Sequence, residues 1–454
     1  VALGFPLLRS ASMFALSRRQ RRRVLVADLI STAVFPLAIT GATAIVPDVT
    51  AQLPGAGALG PWIVLAYNGL FAAALLLAGA TADRTARTRF FAIGNIVVAV
   101  TGVLSALAPD LMSLVALRVV AGVGAAMCAA GGSSMILAVY PPDERRRVYG
   151  YAGAVLGSSL ALGPVVAQTL MAIGGWPLVF VAPAAVAGLA ALATLGLPGL
   201  RSPEVPDNFD LAGAVLFGVT IAAAVTALGL GLGVGVPWWG PGVLVLVAAA
   251  GATGLVRVER RASDPAIPVD LLRIPAYRAY AVATGAFMGM LVVGLAALPQ
   301  LGSAQSMGPG EAAVMLSLLT VPSTVLPLLA ARLARRRARP LVTTALFACA
   351  VTALILQVTD QPAALLGAAG VIGLCLGLTE GVPDGQALKY VPSQRGGAGA
   401  ALFSTTRMSL ETLTLAAATG VMAALGPSSG MAVAGAVCLA AGVIVHQAVP
   451  LRDA

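Results

Sequence analysis

Runs of about 20 predominantly apolar residues recur along the whole chain, parted by short breaks where arginines, prolines and glycines collect. A bilayer's hydrocarbon core is about 30 Å thick and offers no partner to a backbone N–H or C=O. A segment that crosses it must therefore satisfy its own hydrogen bonds, as a helix of about 20 residues. That ruler predicts 14 spans, over residues 24–46, 62–82, 90–108, 112–139, 148–172, 177–198, 211–232, 239–256, 279–300, 311–331, 340–358, 363–386, 397–424 and 429–448. Pro141-Pro142, Gly174-Gly175, Pro237, Gly308-Pro309-Gly310 and Gly426-Pro427 supply turns between them. The pattern predicts an all-α membrane protein.

Composition excludes the soluble alternative. An ordinary soluble domain is about a quarter charged residues; these 454 residues are 10% charged and 59% hydrophobic, with a mean hydropathy of +0.93. The net charge of +10 would suggest nucleic acid in a soluble protein, but 26 of the 28 Lys and Arg fall in loops on one side of the predicted bundle. The expected partner is the lipid bilayer, not nucleic acid. Cytoplasmic flanks accumulate Lys and Arg, so both ends are placed in the cytoplasm, residues 1–23 as a basic N-terminus and 449–454 as a tail. No cleavage pattern precedes the first span, which is kept as part of the mature chain. Arginine outnumbers lysine 27 to 1, a lean of GC-rich bacterial genomes, and the expected location is a bacterial inner membrane. Cys128, Cys349, Cys375 and Cys438 stand singly in apolar runs without metal or redox spacing, and no nucleophile–base set or nucleotide loop accompanies them. No cofactor, metal ion or enzymatic activity is expected.

An ionisable side chain inside a span costs at least about 2.5 kcal/mol, which makes each one a functional hypothesis. Asp28, Arg118, Glu380, Asp384, Arg407 and Glu411 stand out, four acids against two arginines. Glu380 and Asp384, four apart, share one helical face of the span predicted over 363–386 and compete for a proton, as proton coupling requires. Asp384, after Pro383 and near Lys389, also fits the wet inner mouth. Arg407 and Glu411 are spaced for an intrahelical ion pair. Asp28, one turn inside the membrane, is expected to face the Arg18 to Arg23 cluster, and Arg118 is either functional or tied to a backbone carbonyl or an acid. Glu311 suits a helix N-terminus. Asn68, Asn95, Ser133, Ser134 and Gln300 are read as helix bridges or water-lining groups, and Met127, Met135, Met288 and Met290 as core.

Three stretches resemble motifs of the major facilitator superfamily, specifically its drug:proton antiporters with fourteen spans. The loop Gly79-Ala-Thr-Ala-Asp83-Arg84-Thr-Ala86-Arg87-Thr-Arg89 resembles the family's gating motif GxLaDrxGrr, with Ala86 at the second glycine. Leu117-Arg118-Val-Val-Ala-Gly122-Val-Gly124-Ala-Ala is similar to its RxxxGxgaa segment. Gly150, Ser159, Gly163-Pro164, Ala167 and Gln168 keep the spacing of the antiporter motif Gx8Gx3GPx2GG, with Gln168 replacing a glycine.

The resemblance implies a major facilitator fold: a six-helix half over 24–199, a linker over 200–278 carrying two inserted spans at about 211–232 and 239–256, and a second half over 279–448. It also implies that the first, fourth, ninth and twelfth spans line a central cavity, with Glu380 and Asp384 opposite Asp28 and Arg118. The family's acid in the first span aligns with Ala38, which moves proton coupling onto Glu380 and Asp384. What the resemblance implies is a monomeric secondary transporter exporting a small amphipathic or lipophilic compound (a drug, antibiotic or secondary metabolite) in exchange for protons. An importer, a lipid or amino-acid exporter, and a transporter-like scaffold acting as enzyme or sensor stay open beside it.

Overall fold

The computed structural model describes residues 16–55, 59–201, 210–230, 239–259, 271–359, 361–391 and 396–449. The start of the predicted basic N-terminus, much of the linker around the inserted spans and the tail after 449 lie outside the described residues. Those described form 16 α-helices: α1 (Arg18–Gln52), α2 (Trp62–Arg84), α3 (Arg87–Ala106), α4 (Leu111–Val139), α5 (Pro142–Gly174), α6 (Trp176–Ala193), α7 (Leu211–Leu230), α8 (Trp239–Glu259), α9 (Pro275–Ala304), α10 (Pro309–Thr320), α11 (Pro322–Val325), α12 (Pro327–Ile355), α13 (Pro362–Thr379), α14 (Val382–Ala387), α15 (Gly396–Leu425) and α16 (Pro427–Ala448).

Helix lies over each predicted span, yet 12 qualify on their own as long and apolar enough to cross a membrane. The other two are broken. α5 bends by 46° between Tyr151–Leu160 and Leu162–Gly174, and the stretch predicted over 311–331 is interrupted at Pro322 and Pro327, where proline cannot donate to the preceding turn. Helix starts follow their caps. The Ser17 hydroxyl accepts from the Gln20 N–H at 3.2 Å while Gln20 Oε1 accepts from the Ser17 N–H at 3.0 Å, a reciprocal box that starts α1 before the apolar run begins. Asp110 and Asp210 accept N–H groups at the starts of α4 and α7, and Glu311 accepts from the Gly308 N–H at 2.9 Å, the role expected of it.

Two sets of helices pack in the same way. In the first, α4 lies against α2 and α3, α6 against α1 and α3, and α5 against α1; in the second, α13 lies against α10 and α12, α16 against α9 and α12, and α15 against α9. The last turn of each set uses a left-handed glycine, Gly175 (φ 76°) before α6 and Gly426 (φ 90°) before α16, a backbone that side chains disfavour. Small residues permit close approach: a Cβ on Gly94 would stand 3.0 Å from the Gly124 carbonyl oxygen, and Gly285 and Gly289, one turn apart on α9, lie against Leu410 and Thr414 of α15. Met135, Met288 and Met290 are buried core. The cysteines are less solitary than their spacing suggests, because helix packing brings the Cys349 thiol within hydrogen-bonding reach of Cys375 and Cys438.

The sets meet where α1 touches α9, α2 touches α15, and α5 touches α10 and α11. The inserted α7 packs against both α2 and α15. Gly69 of α2 faces Val225, Gly218 faces the Ala73 carbonyl, and Gly420 of α15 lies against the Leu228 carbonyl. The insertion is therefore a bridge between the two sets, with α8 on its outer side.

Replacing Gly420 by Leu forces a side chain onto that carbonyl. We expect a loss of about 1–3 kcal/mol of stability, read as a lower thermal unfolding midpoint in detergent; an unchanged midpoint would mean that α7 does not dock on α15.

Candidate functional site

Glu380 ends α13 with an extended ψ of 122°, Gly381 follows at φ 70°, and α14 starts at Val382. The expectation that Glu380 and Asp384 share a face of one continuous helix is corrected here. Pro383 has no N–H to return to Thr379, so the helix stops, and the chain turns through a backbone that only glycine adopts freely. Both half-buried acids still converge on one place. Thr284 of α9 donates its hydroxyl to Asp384 Oδ2 at 3.4 Å, and Arg407 of α15 lies near enough to interact electrostatically with Glu380, Asp384 and Glu411.

The predicted pair on α15 is made at the limit of contact: Arg407 Nη1 stands 4.0 Å from Glu411 Oε2, and that oxygen is buried without a hydrogen bond. At 1.5 Å per residue, Thr284 lies about 14 Å along α9 from Pro275 and Arg407 about 16 Å along α15 from Gly396. One guanidinium serves three carboxyl groups, which leaves formal negative charge for a proton or a cation to answer.

Arg118 belongs to a different arrangement. Its Nε donates to the Ile63 carbonyl at 2.9 Å and its Nη2 to the Ala38 carbonyl at 3.2 Å, and its guanidinium lies 4.1 Å from the Tyr67 ring centroid and 5.7 Å from that of Phe180. Aromatic faces attract the cation. Arg118 is tied to backbone carbonyls, and Ala38 offers a carbonyl where the resemblance expected an acid.

Asp28 lies over Gly132 of α4 beside the Phe91 ring, about 21 Å along α4 from Arg118. The expected grouping of Asp28 with Arg118 across from Glu380 and Asp384 is thus divided. Nor does Asp28 face the basic segment. Arg21 pairs with Glu144 at 2.7 Å and lies 4.9 Å from the Tyr140 ring centroid. Arg23 donates to the carbonyls of Ala193 and Leu195, at the end of α6, where a helix C-terminus attracts a cation.

The motif positions differ in their surroundings. A Cβ on Gly79 would meet nothing within 4 Å, the Asp83 side chain lies outside the described residues, and Arg84 is exposed. The Arg87 N–H donates to the Leu200 carbonyl at 2.8 Å and the Thr88 hydroxyl to the Pro198 carbonyl at 2.8 Å, fastening this loop to the chain after α6. Gly163 lies against the Thr40 hydroxyl of α1, Pro164 is buried, Gln168 is exposed, and the surroundings of Gly150 lie outside the described residues. Sequence reasoning missed Thr284, which no linear signal marks, and the Tyr67 platform. Gly285-x-x-x-Gly289 would have located the α9 contact with α15. Asn95 bridges helices as expected, accepting from the Ser31 hydroxyl at 3.0 Å and donating to the Phe91 carbonyl at 3.0 Å.

The family model described as Major Facilitator Superfamily matches residues 29–409. The chain is 33% identical over 245 residues to the puromycin resistance protein pur8 of Streptomyces alboniger, covering 53% of this chain and 46% of that one. It is 32% identical over 255 residues to a probable actinorhodin transporter of Streptomyces coelicolor, covering 54% and 44%. It therefore spans less than half the length of these two relatives. To the multidrug resistance protein Stp of Mycobacterium tuberculosis it is 27% identical over 372 residues, covering 80% and 68%. The human organic anion transporter MFSD10 (TETRAN) shares the fold, with a TM-score of 0.62 at 16% identity over 94% of this chain and 99% of that one.

Removing the shared cation should be worse than removing one acid. Arg407→Met strands three buried or half-buried carboxyl groups and is expected to cost about 3 kcal/mol or more, whereas Glu411→Gln, which replaces by an amide a carboxylate held only by a 4.0 Å ion pair and no hydrogen bond at Oε2, should cost clearly less. Thermal unfolding in detergent checks this, and equal losses would contradict the shared-cation arrangement.

Proposed function

The chain belongs to the Major Facilitator Superfamily, and on that footing we propose that it is a proton-driven exporter of a small amphipathic or lipophilic organic compound, such as a drug, antibiotic or secondary metabolite. It is a multi-pass integral membrane protein, and its relatives are named for transport and resistance rather than catalysis. In this reading the chain crosses a bacterial inner membrane fourteen times as a monomer, with both ends in the cytoplasm. Residues 24–199 and 279–448 form two halves that rock about a central site, and 200–278 is the linker with the inserted pair. It uses no cofactor and no metal ion. The basic segment Arg332 to Arg339, which lies within α12 and not in the loop expected between spans, answers the Gly79 to Arg89 gating loop of the first half, and Gly150, Gly163, Pro164 and Gln168 shape the antiporter-like face of α5.

The observation that carries the reading is the cluster of Glu380, Asp384 and Glu411 around Arg407, where α13, α14 and α15 meet α9. A transporter that exchanges a compound for protons needs a site where either can answer the same negative charge. An under-compensated acid cluster at a helix break, where the backbone can shift, meets that need. Arg118, held by carbonyls and rings, contributes a constant positive charge to the first half, and Asp28 is a second, separate acid on the path of protons.

Reconstituted in liposomes, the wild-type chain should transport puromycin, the compound for which one relative is named, under an imposed pH gradient. Glu380→Gln should cut the gradient-driven component by roughly 5- to 150-fold, the range spanned by 1–3 kcal/mol of coupling between two sites. Asp384→Asn should fall in the same direction. Gradient-driven transport untouched by Glu380→Gln would remove that residue from the coupling role.

A further inference from the structure

Asn68, in the middle of α2, is fully buried, and neither its Oδ1 nor its Nδ2 has a hydrogen-bond partner among the described residues; the neighbouring Tyr67 hydroxyl is also unpaired. Among the described residues Asn68 is the one buried amide with both ends unmatched. Asn95, equally buried on α3, uses both ends of its amide, and Thr40, Thr43, Thr406 and Thr412 return their hydroxyls to the carbonyl four residues back. An amide left unmatched in an apolar interior is unfavourable in whichever state leaves it so, and a partner arriving in another state relieves that cost.

The faces of α2 show where such a partner would arrive. Tyr67 and Phe71 meet Phe35 of α1, at 6.2 and 4.6 Å between ring centroids, while Leu65 and Gly69 meet α7. At about 100° per residue, Asn68 falls between these faces, and α2 also packs against α15 of the second set. With α1 and α7 on its flanks, the Asn68 side of α2 is the one left for α15, at the seam that must part if the halves rock.

We propose that Asn68 is a specificity-determining residue, whose amide binds a hydrogen-bonding group of the transported compound, such as a carbonyl, amide or hydroxyl, when α2 and α15 separate. This rests on the export reading and narrows its substrate class to compounds that carry such a group in an otherwise apolar frame. A site built to hydrogen-bond a ligand discriminates against ligands that cannot reciprocate.

The test compares two probes in liposomes: puromycin, which bears amide and hydroxyl groups, and tetraphenylphosphonium, which bears no hydrogen-bonding group. Asn68→Leu, close in size and apolar, should lower puromycin transport at least about tenfold relative to tetraphenylphosphonium without lowering the thermal midpoint, and Asn68→Ser should recover part of the loss. Parallel loss of both probes, no loss of either, or a lower midpoint in Asn68→Leu would overturn the proposal while leaving export standing. A wild-type chain that moves neither probe would overturn the export reading and this inference together.

Discussion

One constraint governs most of this structure: lipid supplies no hydrogen-bond partner, so a polar group in the spans is satisfied by the protein itself or, like the Asn68 amide, left unmatched at a cost. The chain meets it mostly at short range. Threonine hydroxyls fold back on their own helices, and the buried arginine of α4 borrows carbonyls from α1 and α2. Those carbonyls already accept within their helices, and their second lone pairs are what Arg118 uses. Glycine enters for the same reason. Where Gly420 lies against the Leu228 carbonyl and Gly122 against that of Tyr67, helices touch backbone to backbone, which replaces the hydrophobic drive that lipid takes away.

Much of the fold is legible in the sequence because length and apolarity are direct consequences of that constraint. Helices lie over all the predicted spans, and caps such as Glu311 and pairs such as Arg407 with Glu411 follow from spacing alone. What spacing cannot carry is a break or a rotation. Pro383 and Gly381 stand in plain view, yet an i,i+4 reading of Glu380 and Asp384 assumes the helix that these two residues interrupt. Asp28 is misread for a related reason. Proximity in sequence to Arg23 suggests a pairing, but the carbonyls ending α6 and the acid Glu144 reach the arginines first. Contacts between distant helices, such as Thr284 with Asp384 or Cys349 with Cys375 and Cys438, leave no linear trace.

The inserted pair changes how the two sets relate. Fitting α7 between α2 and α15 requires glycines on all three helices, at Gly69, Gly218 and Gly420. Its contacts with α2 run from Gly218 to Gly229, about 16 Å along the helix, whereas a glycine-to-backbone contact with α15 occurs near its outer end alone. An element held more extensively by one set than by the other travels with the first when they move apart. α7 is in this sense part of the first set, and in the alternating-access reading proposed above its contact with α15 is one that has to loosen.

The electrostatics divide along the same line. In the first set the fully buried charge is a cation whose partners are carbonyls and aromatic faces, groups that neither gain nor lose protons near neutral pH, and the half-buried Asp28 lies well apart from it. The cation's charge is constant through a transport cycle. In the second set the charges are carboxylates arranged around an arginine that bonds none of them closely, at a point where the helix is already broken. Carboxylates change charge by taking a proton, and a loosely held arginine can change partners with little rearrangement. Coupling between ion and substrate requires a charge that varies with state, so in the export reading proposed above it falls to the α9, α13, α14 and α15 cluster, with Arg118 as the fixed field against which that variation is felt.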